Sequence, residues 1–172
     1  MCNVLYERLK ALLLVLSCVL LFSACEQGGE LVDIGKPFPK LSLETLEGKS
    51  FEIASLRGKV VIIKLWATWC EICIETEPQF KQFVSRFDPS KVVVLSVSVD
   101  SDLNMLREFL IDHPAAEQQL IDRGMQQSIE VLGSRVVPKV FVIDQDGVLL
   151  LDRTGRTFWG DEAYLKIQAL IK

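Results

Sequence analysis

The length and composition of the chain are those of one ordinary globular domain. It has 172 residues, 49% hydrophobic and 24% charged, values that exclude intrinsic disorder and a fibrous repeat. The formal net charge of -4 gives no basic surface for a phosphate backbone, so nucleic acid is not a predicted partner. Five cysteines and one histidine supply few soft ligands, so neither a metal nor another cofactor is predicted.

The first 24 residues have the layout of a secretory signal. Arg8 and Lys10 precede an apolar run over residues 11–22, and small residues follow it. As a helix the run would span about 18 Å, against roughly 30 Å of membrane hydrocarbon. A lasting transmembrane helix is therefore the weaker interpretation.

The segment Phe22-Ser23-Ala24-Cys25 resembles a bacterial lipobox, with phenylalanine where that pattern usually has leucine. The resemblance implies that residues 1–24 are a signal peptide of the lipoprotein type and that Cys25 carries a lipid in the membrane. Residues 25–36 are then a tether, and residues 37–172 form the domain. We expect the protein in the bacterial cell envelope, lipid-anchored and facing the periplasm or the extracellular side; ordinary secretion or an uncleaved anchor are the alternatives.

The patterning of the first half of the domain predicts a hairpin and two buried strands. Polarity alternates over residues 41–43 and 50–53 on either side of a glycine turn, which predicts an antiparallel hairpin. Residues 60–65 and 92–99 are apolar runs typical of strands covered on both faces. The helical spacing over residues 74–87 makes their connection a parallel crossover.

The second half predicts three helices and a second hairpin. Helices are expected over residues 103–111, 125–132 and 161–171, and residues 140–143 and 148–151 flank a turn signal. This order predicts an α/β fold, with a mixed central sheet flanked by helices and an N-terminal β-hairpin.

Cys70 and Cys73 stand where a buried strand gives way to a helix. Unpaired amides and the helix dipole favour an anion there, so we expect the pKa of the Cys70 thiol to lie below its ordinary value of about 8.5. A thiolate is the nucleophile of thiol-disulfide exchange, and Cys73, one turn further on, is placed to attack the mixed disulfide.

A structural crosslink and a metal site are the other interpretations of this pair. So small a disulfide loop contributes only about 2 kcal/mol. After removal of the signal peptide and lipidation of Cys25, His113 is the only other histidine or cysteine that could join the pair as a metal ligand. Redox chemistry is therefore favoured.

The residues around the pair resemble the active site of the thioredoxin superfamily and, within it, the TlpA/ResA branch. The resemblance is carried by Trp66-Ala67-Thr68-Trp69-Cys70-Glu71-Ile72-Cys73 with Pro78 behind it, and it continues in residues 34–39, 56–61, 97–100, 137–138 and 141–147. It implies a thioredoxin-like fold and a protein-disulfide oxidoreductase with catalytic Cys70 and Cys73.

The same resemblance implies a cis peptide bond before Pro138, beside the dithiol. Such a turn would expose the backbone of Val137, where an extended substrate segment could add as a strand. Trp69, next to the nucleophile, is expected to shape the substrate surface, whereas core packing explains Trp66 equally well.

Two positions on the active-site helix depart from this pattern. Ile72 lies where many relatives have proline, and Thr76 lies where many have glutamate. The flanking residues Glu75 and Glu77 are each about 100° away around a helix, which argues against a proton relay by either.

Several charged residues are candidates for tuning the site. Lys64 lies where thioredoxins have a buried acid; protonated under the dithiol it would lower the thiol pKa, although an ammonium that reaches water is slightly favoured. Glu71 is a second candidate for tuning the thiol pKa. We expect Asp100 to cap the following helix, His113 to have a cap or loop role, and Lys139 to bias partner choice.

The leading functional hypothesis is a membrane-tethered, extracytoplasmic thiol-disulfide oxidoreductase. It would reduce disulfides of specific proteins, such as apocytochrome c or a copper-site protein, and receive electrons from an upstream membrane thiol donor. One alternative is a thiol peroxidase of the peroxiredoxin type, with Cys70 oxidised and Cys73 resolving it; Thr68 lies one residue too close to Cys70 for that motif. The other alternative is a non-enzymatic copper-binding module.

Overall fold

The computed structural model describes residues 32–156 and 159–171. The interpretations of the signal peptide, of Cys25 and of most of the tether lie outside these residues. Among the described residues, no helix has both the length and the apolar character needed to cross a membrane.

Within the described part of the chain, seven strands form one mixed sheet in the spatial order β2-β1-β5-β4-β3-β6-β7. The strands are β1 (Leu43–Thr45), β2 (Ser50–Phe51), β3 (Val60–Trp66), β4 (Val92–Ser98), β5 (Gln118–Ile121), β6 (Lys139–Ile143) and β7 (Leu149–Thr154). The described helices are α1 (Glu71–Val84), α2 (Leu103–Asp112), α3 (Gln126–Glu130) and α4 (Asp161–Gln168), with 3₁₀ turns at Ile53–Leu56 and Arg123–Met125.

The centre of the sheet agrees with the sequence patterns. β3 pairs in parallel with β4 over seven residues, from Val60 opposite Val92 to Trp66 opposite Ser98, which confirms the crossover through α1. β6 is antiparallel to both β3 and β7, which confirms the second hairpin. All seven residues of β3 are buried, as expected for a strand covered on both faces.

The edge of the sheet and the element ends differ from the predictions. β5 was not predicted; it joins β4 in parallel and β1 in antiparallel orientation. β1 and β2 pair over only two residue pairs, and a 3₁₀ turn begins at Ile53, which the sequence placed in the second strand of a hairpin. α1 begins at Glu71, which confirms the predicted position of Cys70 at a helix N-terminus, and it ends at Val84, three residues before the end of the helical spacing at residue 87.

The core consists of two apolar clusters divided by the sheet. Alternate residues of β3 enter different clusters: Val60 and Ile62 join the phenylalanines of α1 and Ile167 of α4. The larger cluster takes Val61, Ile63 and Leu65, together with both cysteines and Leu106 of α2. The dithiol therefore lies at the end of the central strand, supported by the larger cluster.

The chain ahead of β1 is hydrogen-bonded to the first residue of β7, directly after the turn between β6 and β7. Gly35 donates to the carbonyl of Leu149 at 2.7 Å, and the amide of Leu149 donates to the carbonyl of Lys36 at 2.9 Å. In that turn Gly147 has φ +77°, and the guanidinium of Arg57 occupies the space that a Cβ at Gly147 would need. Glycine meets both requirements because it has no side chain.

Candidate active site

A disulfide joins Cys70 and Cys73 at the N-terminus of α1. Cys70 is the N-cap residue, and its Sγ accepts a hydrogen bond from the backbone N–H of Cys73 at 3.2 Å. Cys70 is 7% exposed, whereas Cys73 is 1% exposed. A partner molecule therefore has access chiefly to the sulfur that sits at the positive end of the helix dipole.

Asp100 anchors the loop that leads into the dithiol. Its carboxylate accepts hydrogen bonds from the backbone N–H of Thr68 at 3.1 Å and from the hydroxyls of Thr68 and Ser98 at 2.8 and 2.7 Å. The prediction that Asp100 caps the next helix is wrong, because Asp102 is the N-cap of α2. Asp100 instead fixes the backbone two residues before Cys70.

Lys64 is buried in β3 and forms an ion pair with Glu77 of α1. The residue is 3% exposed, and its Nζ lies 4.6 Å from the centre of the Phe80 ring. The favoured interpretation, an ammonium that reaches water, is therefore wrong. The Glu77 carboxylate of α1 pairs with the Lys64 ammonium of β3. The same carboxylate lies 3.8 Å from a second ammonium, that of Lys81.

The importance of Glu77 was missed at the sequence level. The sequence argument set Glu77 aside because it lies about 100° around the helix from residue 76, where many relatives have glutamate. In the structure the Thr76 hydroxyl donates to the Ile72 carbonyl of its own helix, so residue 76 bonds within α1. The informative spacing is from Cys73 to Glu77, because residues four apart lie on one face of a helix. Since Cys73 faces the sheet, Glu77 also points toward the central strand.

The loop before β6 contains the cis peptide bond that the resemblance implied, between Val137 and Pro138. Pro138 is buried, and Val137 packs against the cluster that contains both cysteines. Within the described residues the backbone of Val137 makes no hydrogen bond. Trp69 and Ile72 of the dithiol motif and Val136 of this loop are 62%, 39% and 49% exposed, so each presents an apolar side chain to the solvent.

The remaining predicted residues have varied surroundings. Glu71 is exposed in the first turn of α1. Lys139 forms an ion pair with Asp152 at 2.8 Å, so its charge is already partnered. His113 is the C-cap residue of α2, and its ring contacts the carbonyl of Phe109 at 3.1 Å. Within residues 32–156 and 159–171, no three His, Cys, Asp or Glu side chains are grouped as a metal site.

Comparison with known proteins identifies the family of this fold and dithiol. The profile of the AhpC/TSA family matches residues 34–151, well over half of the chain. The chain belongs to the AhpC/TSA family. This assignment and the relatives below confirm the thioredoxin-like, TlpA/ResA-like resemblance carried by the residues around Cys70 and Cys73.

Similar members of the family act on disulfides according to their names. The thiol-disulfide oxidoreductase ResA of Bacillus thuringiensis (strain Al Hakam) is 30% identical over 138 residues, covering 80% of this chain and 79% of that protein. The thiol:disulfide interchange protein DsbE of Pseudomonas fluorescens biotype C is 32% identical over 146 residues, covering 80% and 78%. A solved structure from Chlorobium tepidum, described as a candidate DsbE, has a TM-score of 0.69 at 26% identity and covers 81% of this chain and 97% of that one.

The geometry and the relatives agree on the class of chemistry. This AhpC/TSA-family chain is a thioredoxin-like protein-disulfide oxidoreductase, and its Cys70–Cys73 pair is present as a disulfide.

Proposed function

We propose that the protein is a lipid-anchored, extracytoplasmic reductant of disulfides in specific proteins, such as apocytochrome c or a copper-site protein. The single observation that carries the proposal is the position of Cys70 at the N-cap of a helix, with Cys73 buried one turn inside. The lipobox-like segment before Cys25 supports the anchor. An upstream membrane thiol protein supplies the electrons.

The reaction has two exchange steps with balanced electrons. In the reduced protein the Cys70 thiolate attacks one sulfur of a substrate disulfide, and the other substrate sulfur leaves as a thiolate. The Cys73 thiolate then attacks Cys70 Sγ, releases the second substrate thiolate and forms the Cys70–Cys73 disulfide. Two electrons pass to the substrate, and a dithiol donor returns two electrons to the protein. The helix N-terminus stabilises the Cys70 thiolate that makes the first attack.

Substrate recognition is proposed at the cis-proline loop. An extended segment pairs with the unbonded backbone of Val137, while Trp69, Ile72 and Val136 contact its apolar side chains. Lys139 contributes little to charge selection in this proposal, because Asp152 neutralises it. The substrate disulfide then lies over Cys70.

Insulin reduction with dithiothreitol as donor tests the catalytic assignment. Cys70→Ser and Cys73→Ser should each abolish turnover. Cys70→Ser should form no mixed disulfide, whereas Cys73→Ser should trap one because the resolving thiol is missing. Activity that persists in both variants excludes this dithiol as the active site. Rapid consumption of hydrogen peroxide by the wild-type protein would instead favour the peroxidase alternative.

The reduction potential tests the direction of electron flow. Equilibration with glutathione buffers should give a potential nearer the thioredoxin value of about −270 mV than the DsbA value of about −120 mV. A value near the DsbA end would make the protein an oxidant. Tight, stoichiometric retention of Cu(I) without turnover would support the copper-binding alternative.

The anchor is tested by labelling cells with a fatty-acid analogue. The wild-type chain should take up label and sediment with membranes, and Cys25→Ala should lose both properties. Cys18→Ala is the matched control and should keep them, because it lies inside the predicted signal peptide. Membrane association without label would favour an uncleaved anchor.

A further inference from the structure

A buried aspartate follows β5 at the edge of the sheet that carries the dithiol. β3, β4 and β5 are parallel, so their carboxyl ends share this edge, and Asp122 comes directly after β5. Asp122 is 2% exposed. One of its carboxylate oxygens accepts from the backbone N–H of Gln127 at 2.8 Å, and the other accepts from the N–H and the hydroxyl of Ser128 at 2.7 and 2.6 Å. Because a buried charge depends on such donors, these bonds fix the position of α3.

The turn between β5 and α3 has a backbone conformation that needs support from outside. Gly124 and Met125 have φ +67° and +63°, in the left-handed region where a methionine is rarely found. The carbonyl of Asp122 accepts from the N–H of Met125 at 3.0 Å. Strained residues persist where the surrounding contacts over-determine them, and they cluster at functional sites. The bonds of Asp122 therefore hold α3 in a place that the turn alone would not favour.

α3 in turn holds the start of the cis-proline loop. The backbone N–H of Ser134 donates to the carbonyl of Ser128 at 2.7 Å, and Ser134 is 4% exposed. At the other end of the loop, the carbonyl of Pro138 accepts from the N–H of Gly155 at 2.9 Å. Among the described residues, the backbone of Val137 makes no hydrogen bond between these two anchors. The position of Val137 therefore depends on the anchors, and the first of them is α3.

The loop that carries the nucleophile is held by a second buried aspartate. Asp100 is 3% exposed and accepts from the backbone N–H of Thr68 at 3.1 Å. Ser98, the last residue of β4, joins the two aspartates. Its hydroxyl donates to Asp100 at 2.7 Å, and its carbonyl accepts from the N–H of Asp122 at 2.8 Å. The dithiol loop and the cis-proline loop are therefore both tied to one buried residue.

We propose that Asp122 is a positioning residue for protein substrates. Through Ser128 and Ser134 it fixes the start of the cis-proline loop. That loop sets the distance between the backbone of Val137 and Cys70. The inference rests on the proposed function, in which a substrate segment pairs with Val137 while its disulfide lies over Cys70. Both contacts form together only at the right spacing, and a misplacement of about 1 Å can cost up to about a hundredfold in rate.

Asp122→Asn tests the proposal, because it keeps the shape of the side chain but replaces one accepting oxygen with an NH₂ group. The kcat/KM for insulin, with dithiothreitol as donor, should fall about five- to tenfold, the effect of one hydrogen bond. The rate at which the pre-reduced protein reacts with a small aromatic disulfide should change less than about twofold, since that reagent needs the thiolate but no strand pairing. A merely structural residue would lower both rates by the same factor, the fraction of folded protein.

Asp144→Asn is the matched control. The Asp144 carboxylate also accepts from two backbone N–H groups, those of Asp146 and Val148 at 3.0 and 2.8 Å, but it does so at the end of β6 away from Pro138. In this control the ratio of the insulin rate to the small-disulfide rate should stay within about twofold of the wild-type ratio. An equal change of the ratio in both variants, or an unchanged ratio in Asp122→Asn, overturns the proposal.

The amide resonance of Val137 reports the position of the loop directly. In the full ¹⁵N-labelled chain, Asp122→Asn should shift or broaden this resonance and Asp144→Asn should not; no change in Asp122→Asn overturns the proposal. If Asp122→Asn does not fold, Ser128→Ala carries both tests, because it removes the hydroxyl that donates to Asp122 at 2.6 Å. A rate ratio and a Val137 resonance equal to those of the wild type then overturn the proposal. A wild-type protein that reduces the small disulfide but not insulin refutes the proposed function, whereas the Val137 resonance still tests the position of the loop.

Discussion

Neutralising Glu77 should destabilise the protein far more than removing the charge of Lys64, although the two groups form one ion pair. In Glu77→Gln the ammonium of Lys64 stays in a side chain that is 4% exposed, and it has lost its carboxylate. In Lys64→Met the carboxylate of Glu77 remains 28% exposed and keeps Lys81 at 3.8 Å. Water can therefore hydrate the orphaned carboxylate but not the orphaned ammonium.

The magnitudes follow from this difference in exposure. Removal of one partner from a buried pair costs about 3–5 kcal/mol, so Glu77→Gln should lower the free energy of unfolding by about 3 kcal/mol. Methionine fills much of the lysine stem, and an exchange of buried charge for apolar volume is often close to neutral; Lys64→Met should cost about 1 kcal/mol or less. In the double variant the Glu77 change should add only about 1 kcal/mol, giving a coupling energy of about 2 kcal/mol.

Urea unfolding of the oxidised proteins, followed by far-UV circular dichroism, measures these differences. The slopes of the transitions should stay constant, so that the midpoints report stability. The control is Glu75→Gln, which breaks an exposed ion pair with Arg156 at 2.5 Å and should cost no more than about 1 kcal/mol. Equal costs for the Glu77 and Lys64 variants, or a Glu77 cost no larger than that of the control, would refute the reasoning.

Three other substitutions probe separate features. Trp69→Ala should change the free energy of unfolding by no more than about 0.5 kcal/mol, because Trp69 is 62% exposed. The same variant should raise KM for insulin more than KM for a small disulfide. Equal effects on the two KM values would exclude Trp69 from substrate recognition. Asp100→Asn should cost about 2 kcal/mol in urea unfolding, since one amide oxygen replaces a carboxylate that accepts from Thr68 and another hydroxyl; an unchanged midpoint contradicts the anchoring role. Gly147 and Gly48 have φ +77° and +76°, so alanine at either position imposes nearly the same backbone strain, of about 1–2 kcal/mol. Gly147→Ala should unfold at a lower temperature than Gly48→Ala, because its Cβ also displaces the Arg57 guanidinium. Equal melting temperatures contradict that contact.

The central part of the fold was predictable because its signals are local. The apolar run that became β3 is buried on both faces and carries the pattern of a central strand through all but one residue. The dithiol and the turn before β7 could likewise be predicted, because each is specified by residues that are consecutive in the sequence. The cis bond at Pro138, in contrast, came from the family resemblance alone.

The parts that were missed depend on residues distant in the sequence. β5 begins with Gln118 and Gln119, which have little strand propensity, and it exists because β4 and β1 pair with its two edges. Lys64 could be recognised as anomalous from the sequence, but its partner lies thirteen residues away on another element.

The strand order has a mechanical consequence for the N-terminal edge. Among the strands of residues 32–156, β1 and β2 are joined to the rest of the sheet through β5, by two residue pairs. The catalytic end of β3, in contrast, pairs with β4 on one side and β6 on the other. Backbone amides of the outer two strands should therefore exchange with deuterium by local fraying, at a free energy well below that of global opening. Oxidation and reduction of the sulfur pair can continue while that edge is open.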